Sequence, residues 1–437
     1  MTGVRSSSHL ALAVAALAGT LLLCELLLRL LGIGYPVYVW TDPIRGTAHI
    51  PGAKSAGQVN GRPWIEINSD GWRGPDVALQ PAAGTYRVAL LGDSFIEAFE
   101  VPFEQTAGEL IEARLAALRG TPVEVLNFGQ GGYGTTQELL TLQHEVWKYS
   151  PDLVVLAITT GNDISDNSRH LKRTDYVPYH VFQGEHLVLD TSFRRSSGYR
   201  SRAVWTRRLL TVVRYSRVAQ LINRVRRTGR RTERQQSNRV RGQELGMHDE
   251  VQLPPATPEW REAWRITEGI LRLMRDDCRA HQRPFGIVTL TRGIQVSPVA
   301  AEKERYLRRL GAKDLYYPER RLAEFGRREG IPVLNLAPPI AELAQRTGAY
   351  FHAHHDTLGV GHWNAAGHRA AADLIAPWLA DRFAPAKPSG SGLDSTAVTA
   401  GPPRPGTPPP ARPGRRVRAA GAAPSRCSGP RSDGPPH

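Results

Sequence analysis

Apolar positions gather into short unbroken runs, separated by longer stretches with helical spacing. The runs YRVALLGDS (86–94), VEVLNFG (123–129) and DLVVLAITTGND (152–163) have the pattern of strands buried on both faces of a parallel sheet. Residues 105–118 and 135–148 read as helices between them. FGIVTLT (285–291) and VLNLA (333–337) add two strands, with helices over about 300–328, 339–347 and 365–383. Strands alternating with helices over this length predict an α/β domain built on a doubly wound parallel sheet.

Other segments break the pattern. From Leu10 to Cys24 the chain carries no charge; Glu25, three leucines and Arg29 follow. Such a run falls short of the roughly 20 residues a membrane span needs. It reaches that length at Leu31 if Glu25 and Arg29 pair on one helix face and snorkel to the interface. Residues 1–34 therefore read as an uncleaved signal anchor, with a cleaved signal peptide and a buried soluble helix as the alternatives. Arg5 favours a cytoplasmic N-terminus, which predicts a single-pass cell-membrane protein with its body on the extracytoplasmic side. Residues 35–85, rich in Pro, Gly and Trp, read as a lead-in packed on a domain of residues 86–384. An insertion at about 165–259 interrupts that domain. Residues 385–437 are dense in Pro, Gly, Ser, Ala and Arg and read as a disordered tail.

The net charge of +15 suggests nucleic acid, but its placement argues otherwise. Residues 194–241 hold sixteen Arg against one Glu, which by itself equals the whole net charge, and the tail adds a further surplus of +6. The body is net acidic, so no nucleic-acid partner is expected. Within the insertion Trp205, Leu209 and Val212 share one helical face, while Val218, Leu221 and Val225 drift to another. The insertion thus reads as a solvated helical segment or lid, with a membrane-surface or polyanion contact as the alternative. Of Cys24, Cys278 and Cys427 only Cys278 belongs to the body, so no internal disulfide is expected.

Candidate chemistry lies at the ends of the runs. Ser94 stands where a strand gives way to a helix, a position equally suited to a nucleophile and to a plain helix cap. Gly129 ends the second run, and Gly161, Asn162 and Asp163 end the third. A glycine N–H and an asparagine NH₂ are suitable donors for a developing oxyanion. His362 precedes Asn364, a good cap for the alanine-rich helix after it, and a neutral imidazole there suits a general base.

Gly92-Asp93-Ser94-Phe95, Asn127-Phe128-Gly129, Gly161-Asn162-Asp163 and His362-Trp363-Asn364 with Gly367-His368 together resemble the SGNH/GDSL hydrolase family. The resemblance covers roughly residues 86–384. It implies a flavodoxin-like sheet of the SGNH hydrolase type, Ser94 as nucleophile and His362 as base. It also implies an oxyanion hole made by the N–H groups of Ser94 and Gly129 and the side chain of Asn162, and no cofactor or metal. Family members usually carry an Asp three residues before the histidine; here that position is Gly359. Asp356 is the nearest upstream acid, and either it orients the ring or the site is a Ser–His dyad. Gly129, Gly131 and Gly134 spell a dinucleotide-type motif without its acidic partner, and His352, His354, His355 and Asp356 lack a metal-ligand spacing. The expected function is a membrane-anchored serine esterase acting on an ester such as O-acetyl on an envelope carbohydrate. An O-acyltransferase, a lipid-directed esterase and an inactive glycan-binding module are the alternatives.

Overall fold

The computed structural model describes residues 3–55, 58–59, 62–226, 245, 248–354 and 357–383. The tail (385–437), the centre of the arginine cluster, and His355 and Asp356 lie outside the described residues. Five parallel strands form the central sheet: β1 (Tyr86–Gly92), β2 (Val123–Gly129), β3 (Leu153–Ile158), β4 (Phe285–Thr289) and β5 (Val333–Asn335), in the order β5-β4-β3-β1-β2. This is the doubly wound sheet expected from the runs. The chain leaves β1 for one side and returns to β3 on the other, so the topological switch falls between β1 and β3.

Period-two alternation explains why the runs are apolar throughout. Ala89, Leu91, Leu126, Phe128, Val154 and Leu156 point into one core, against the helices Thr135–His144, Pro258–Ala280 and Tyr317–Glu329. Val88, Leu90, Val123, Val125, Leu153 and Val155 point into the other, against Ala107–Arg119, Ala337–Thr347 and Ala365–Arg382. The stretch read as one helix over 300–328 is two, Ala300–Leu310 and Tyr317–Glu329. Gly311 ends the first in the left-handed region (φ +64°), and Pro318 sits in the first turn of the second.

The lead-in adds an antiparallel pair, Val39–Asp42 with Gly46–His49, and a run of turns through Trp72. Its Ile50, Ala53 and Ile67 form a small core of their own. The insertion contains a hairpin, Tyr179–Gln183 with His186–Asp190, and a helix Ser197–Tyr215. Ser216 breaks that helix in an extended conformation, and a second helical stretch runs through residues 217–226. The apolar face drifts because there are two helices. At the N-terminus, Gly3–Leu30 is one helix whose window Ala11–Leu30 (mean hydropathy 2.3) is long and apolar enough to cross a membrane. None of that window is buried against the rest of the chain, which removes the buried-helix alternative.

Candidate active site

The ends of β1, β2 and β3 meet on one edge. Gly92 pairs in register with Gly129, and Leu91 with Leu156. After Gly92 the chain turns at once into the short helix Ser94–Glu97, capped by Asp93, whose carboxylate accepts from the Phe95 N–H (2.9 Å). Asp93 is fully buried, and burial pushes its pKa up despite this bond and the Asn162 amide 3.2 Å away. Ser94 is the first residue of the turn, a position whose N–H has no intrahelical partner.

His362 arrives from the other end of the domain. Three short antiparallel strands, His352–His354, Thr357–Leu358 and His362–Trp363, hold its main chain, with Ala353 opposite His362. Asn364 caps the next helix, accepting from the N–H groups of Ala366 (2.9 Å) and Gly367 (3.0 Å). The ring stands edge-on to Phe95, 5.0 Å between centroids. Its Nε2 lies 2.7 Å from Ser94 Oγ. Ser94 and His362, 268 residues apart in sequence, are therefore in direct hydrogen-bond contact.

The other ring nitrogen faces a residue that sequence reasoning missed. Glu100 Oε1 is 2.8 Å from His362 Nδ1, although the approach is too oblique for a straight N–H···O bond. With the proton on Nδ1, toward the carboxylate, Nε2 is free to accept from the Ser94 hydroxyl. Burial works against a charged His362, but the carboxylates of Glu100, Asp93 and Glu97 outweigh it, and the ring pKa is raised. Burial likewise opposes the Glu100 charge, and His362 more than compensates, so that carboxyl is lowered. Asp356 lies outside the described residues. The place at three before the histidine belongs to Gly359, which turns the chain in the left-handed region (φ +78°), a conformation an Asp would adopt only with strain.

Glu100 sits in a loop held by the lead-in. Arg73 is buried, and its guanidinium donates to the carbonyls of Glu97 (2.8 Å), Val101 (2.6 Å) and Ala98. Trp64 Nε1 donates to the Phe99 carbonyl (2.9 Å), and His49 Nε2 lies 2.6 Å from Glu97 Oε1. Ala98 itself adopts the left-handed conformation, which closes the short helix and aims the loop toward His362.

The expected oxyanion donors are placed differently from one another. Asn162 lines the same cavity as Ser94 and His362; one N–H of its amide meets Asp93, leaving the other. The Gly129 N–H is instead occupied by Asn127 Oδ1 at 2.9 Å, and Gly129 does not line the cavity. A Cβ at Gly129 would lie 2.2 Å from the Glu97 nitrogen, so this glycine serves close packing of β2 against the Ser94–Glu97 turn. Gly131 N–H is held by Glu97, which leaves the dinucleotide-like glycines with structural duties. His352 is enclosed between the Thr291 hydroxyl (2.8 Å) and the Gly361 carbonyl (2.8 Å), and burial drops its pKa to about 4. His368 accepts from the Ala107 N–H (3.2 Å) and is pushed down to about 3, again by burial. A cavity of about 610 Å³ opens beside Ser94, and Arg292, Arg305, Tyr306, Tyr350 and Val360 are among its lining residues.

No family model matches the chain, and no curated protein does. Among solved structures it is similar to a lipase/acylhydrolase from Enterococcus faecalis (12% identity, 68% of this chain and 96% of that one, TM-score 0.32). It is also similar to an acetylxylan esterase from Geobacillus stearothermophilus (12%, 66% and 92%, TM-score 0.33). A third likeness is to a two-domain esterase active on acetylated mannans (12%, 70% and 52%, TM-score 0.34). At such scores the overlays add nothing to what the side chains of this chain show.

Proposed function

We propose that the protein is a serine esterase whose nucleophile is Ser94, with His362 as general base and Glu100 as the acid that orients the ring. The observation that carries this reading is the line Ser94 Oγ–His362 Nε2 (2.7 Å) and His362 Nδ1–Glu100 Oε1 (2.8 Å) at the mouth of a cavity. Ser94 passes its proton to Nε2 as Oγ bonds to the ester carbonyl carbon, and the carbonyl electrons move to oxygen. The Ser94 N–H and the second N–H of the Asn162 amide are the donors for that oxyanion. Collapse breaks the ester C–O bond, the imidazolium returns the proton to the leaving alcohol, and an acyl-serine remains. Water then attacks by the same route in reverse order and frees the acid.

The substrate proposed is a short acyl ester, such as O-acetyl on an envelope carbohydrate, met outside the membrane that the N-terminal helix spans. Neither the mechanism nor the residues named for it use a cofactor or a metal. The test is labelling of the full chain in detergent with a fluorophosphonate. Wild type should label, while Ser94→Ala and His362→Ala should not. Folded wild type that stays unlabelled would overturn the reading and favour a binding module. Esters of graded acyl length check the substrate class, where a preference for long chains would point to lipid instead. Product analysis with and without a glycan acceptor separates hydrolysis from acyl transfer.

A further inference from the structure

The arginine-bearing insertion meets the apolar N-terminal helix through Glu25 and Arg29. Ser216 Oγ donates to Glu25 Oε2 (3.0 Å), and the backbone N–H groups of Arg217 (3.0 Å) and Val218 (3.1 Å) donate to the same carboxylate. Glu25 thus caps the helical stretch that begins at residue 217, where a negative charge also meets the positive end of the helix dipole. One turn further along, Arg29 bonds Glu25 Oε1 (2.8 Å) and the Tyr215 carbonyl (2.6 Å). The Tyr35 N–H donates to Gln220 (2.9 Å), a second tie between the two segments. A carboxylate within an apolar helix is costly in lipid unless it is partnered, and here the insertion supplies the partners.

These bonds fix a depth. At 1.5 Å per residue, Glu25 lies about 6 Å nearer the middle of the Ala11–Leu30 window than Arg29. Residues 216–218 are at that level. On either side of them the insertion presents apolar side chains to the outside: Val212 (57% exposed), Tyr215 (67%), Ile222 (54%) and Val225 (64%). Leu210 and Val213, on the opposite face of the first helix, are the ones turned toward the protein. The outward face is therefore apolar on a helix whose inner face is already packed. Arg214, Arg217, Arg224 and Arg226 are interleaved with it. Aromatic and aliphatic side chains with arginines are the composition of a helix lying in a membrane interface, where burial of about 5–10 Å is usual.

We propose that the 197–226 insertion is seated in the interface of an anionic bilayer, beside the outer end of the N-terminal span. The proposal rests on Ala11–Leu30 crossing that bilayer. Apolar side chains around Glu25 enter the acyl boundary, while the arginines reach the lipid phosphates. The catalytic unit is then held at one height above the membrane, through two contacts instead of a single tether.

The test uses the full chain with Cys24→Ser and Cys427→Ser, leaving buried Cys278, reconstituted in phosphatidylcholine–phosphatidylglycerol bilayers. A nitroxide is placed by Val212→Cys, with Leu17→Cys as the reference in the span and Leu118→Cys as the reference on the exposed surface. The ratio of oxygen to nickel-chelate accessibility reports depth. At position 212 it should exceed that at 118 several-fold while staying below that at 17, which lies deeper in the span. Equal ratios at 212 and 118, with 17 immersed, would overturn the proposal. A label at 17 that reads water would remove the span and the proposal with it. Unchanged immersion at 212 in phosphatidylcholine alone would remove the anionic lipid from it. Ile222→Cys repeats the measurement from the second helical stretch, so that loss of fold in one variant does not decide the outcome.

Discussion

Two loops flank Ser94, and they are secured in different ways. The loop that delivers His362 is held by its own neighbours: a small antiparallel ladder before the histidine and the Asn364 cap just after it. The loop that delivers Glu100 makes almost no such local bonds. Its carbonyls at 97, 98, 99 and 101 are gathered by Arg73 and Trp64, side chains from a segment outside the α/β domain. One half of the proposed catalytic line is therefore built by the main chain, and the other by side chains reaching in from elsewhere. A site assembled this way has one rigid partner, the proposed base, and one whose position depends on a few side chains, chief among them a buried guanidinium. Burial pushes that guanidinium down to about 10, still charged at neutral pH.

Substitutions can break the comparison or sharpen it. On the rigid side, Ser94→Ala and His362→Ala should each abolish turnover, by about 10⁴-fold or more in kcat, with the thermal midpoint nearly unchanged. On the other side, Glu100→Gln should cost less, roughly 10²-fold. It should also move the acidic limb of kcat/KM. The reaction needs a neutral His362, so activity rises with pH through the ring's pKa. Glu100 helps raise that pKa, and removing its charge should shift the limb to lower pH even as the maximum falls. A limb that stays in place would separate Glu100 from the ring. Arg73→Ala leaves several buried carbonyls unpaired, each worth about 1–3 kcal/mol. It should lower stability, cut kcat by roughly 10-fold and move the limb in the same direction as Glu100→Gln. A purely structural arginine would lower the midpoint and leave the limb alone. Trp64→Phe removes one donor, to Phe99, and should cost about 1 kcal/mol with only a small change in rate.

The same contrast explains what could be read from the chain. The sheet was legible because burial on both faces leaves long apolar runs, and Ser94 and Asn162 because they follow those runs directly. His362 could be read from the cap and helix after it. Glu100 could not. It lies only six residues past Ser94, but its aim depends on the left-handed Ala98 and on contacts with residues 64 and 73, none of which leaves a period or a spacing. The expected upstream acid, Asp356, lies outside the described residues, and the carboxylate found beside the ring, Glu100, comes from the loop after the serine. The occupation of the Gly129 N–H by Asn127 was hidden for a related reason: a glycine at a strand end looks the same whether it frees an N–H for a ligand or makes room for a backbone. The division of 300–328 into two helices was present in the sequence, as Gly311 and Pro318. The drift of the insertion's apolar face likewise came from a break, at Ser216.

Arg73 belongs to the lead-in and Glu100 to the domain, so the unit that folds and the unit that works do not share a boundary. A protein begun at Tyr86 would keep every strand of the central sheet, all its helices and both Ser94 and His362. It would lack the residue that gathers the loop between them. Anyone trimming this chain, or grafting its proposed site onto another scaffold, has to carry His49, Trp64 and Arg73 along with it.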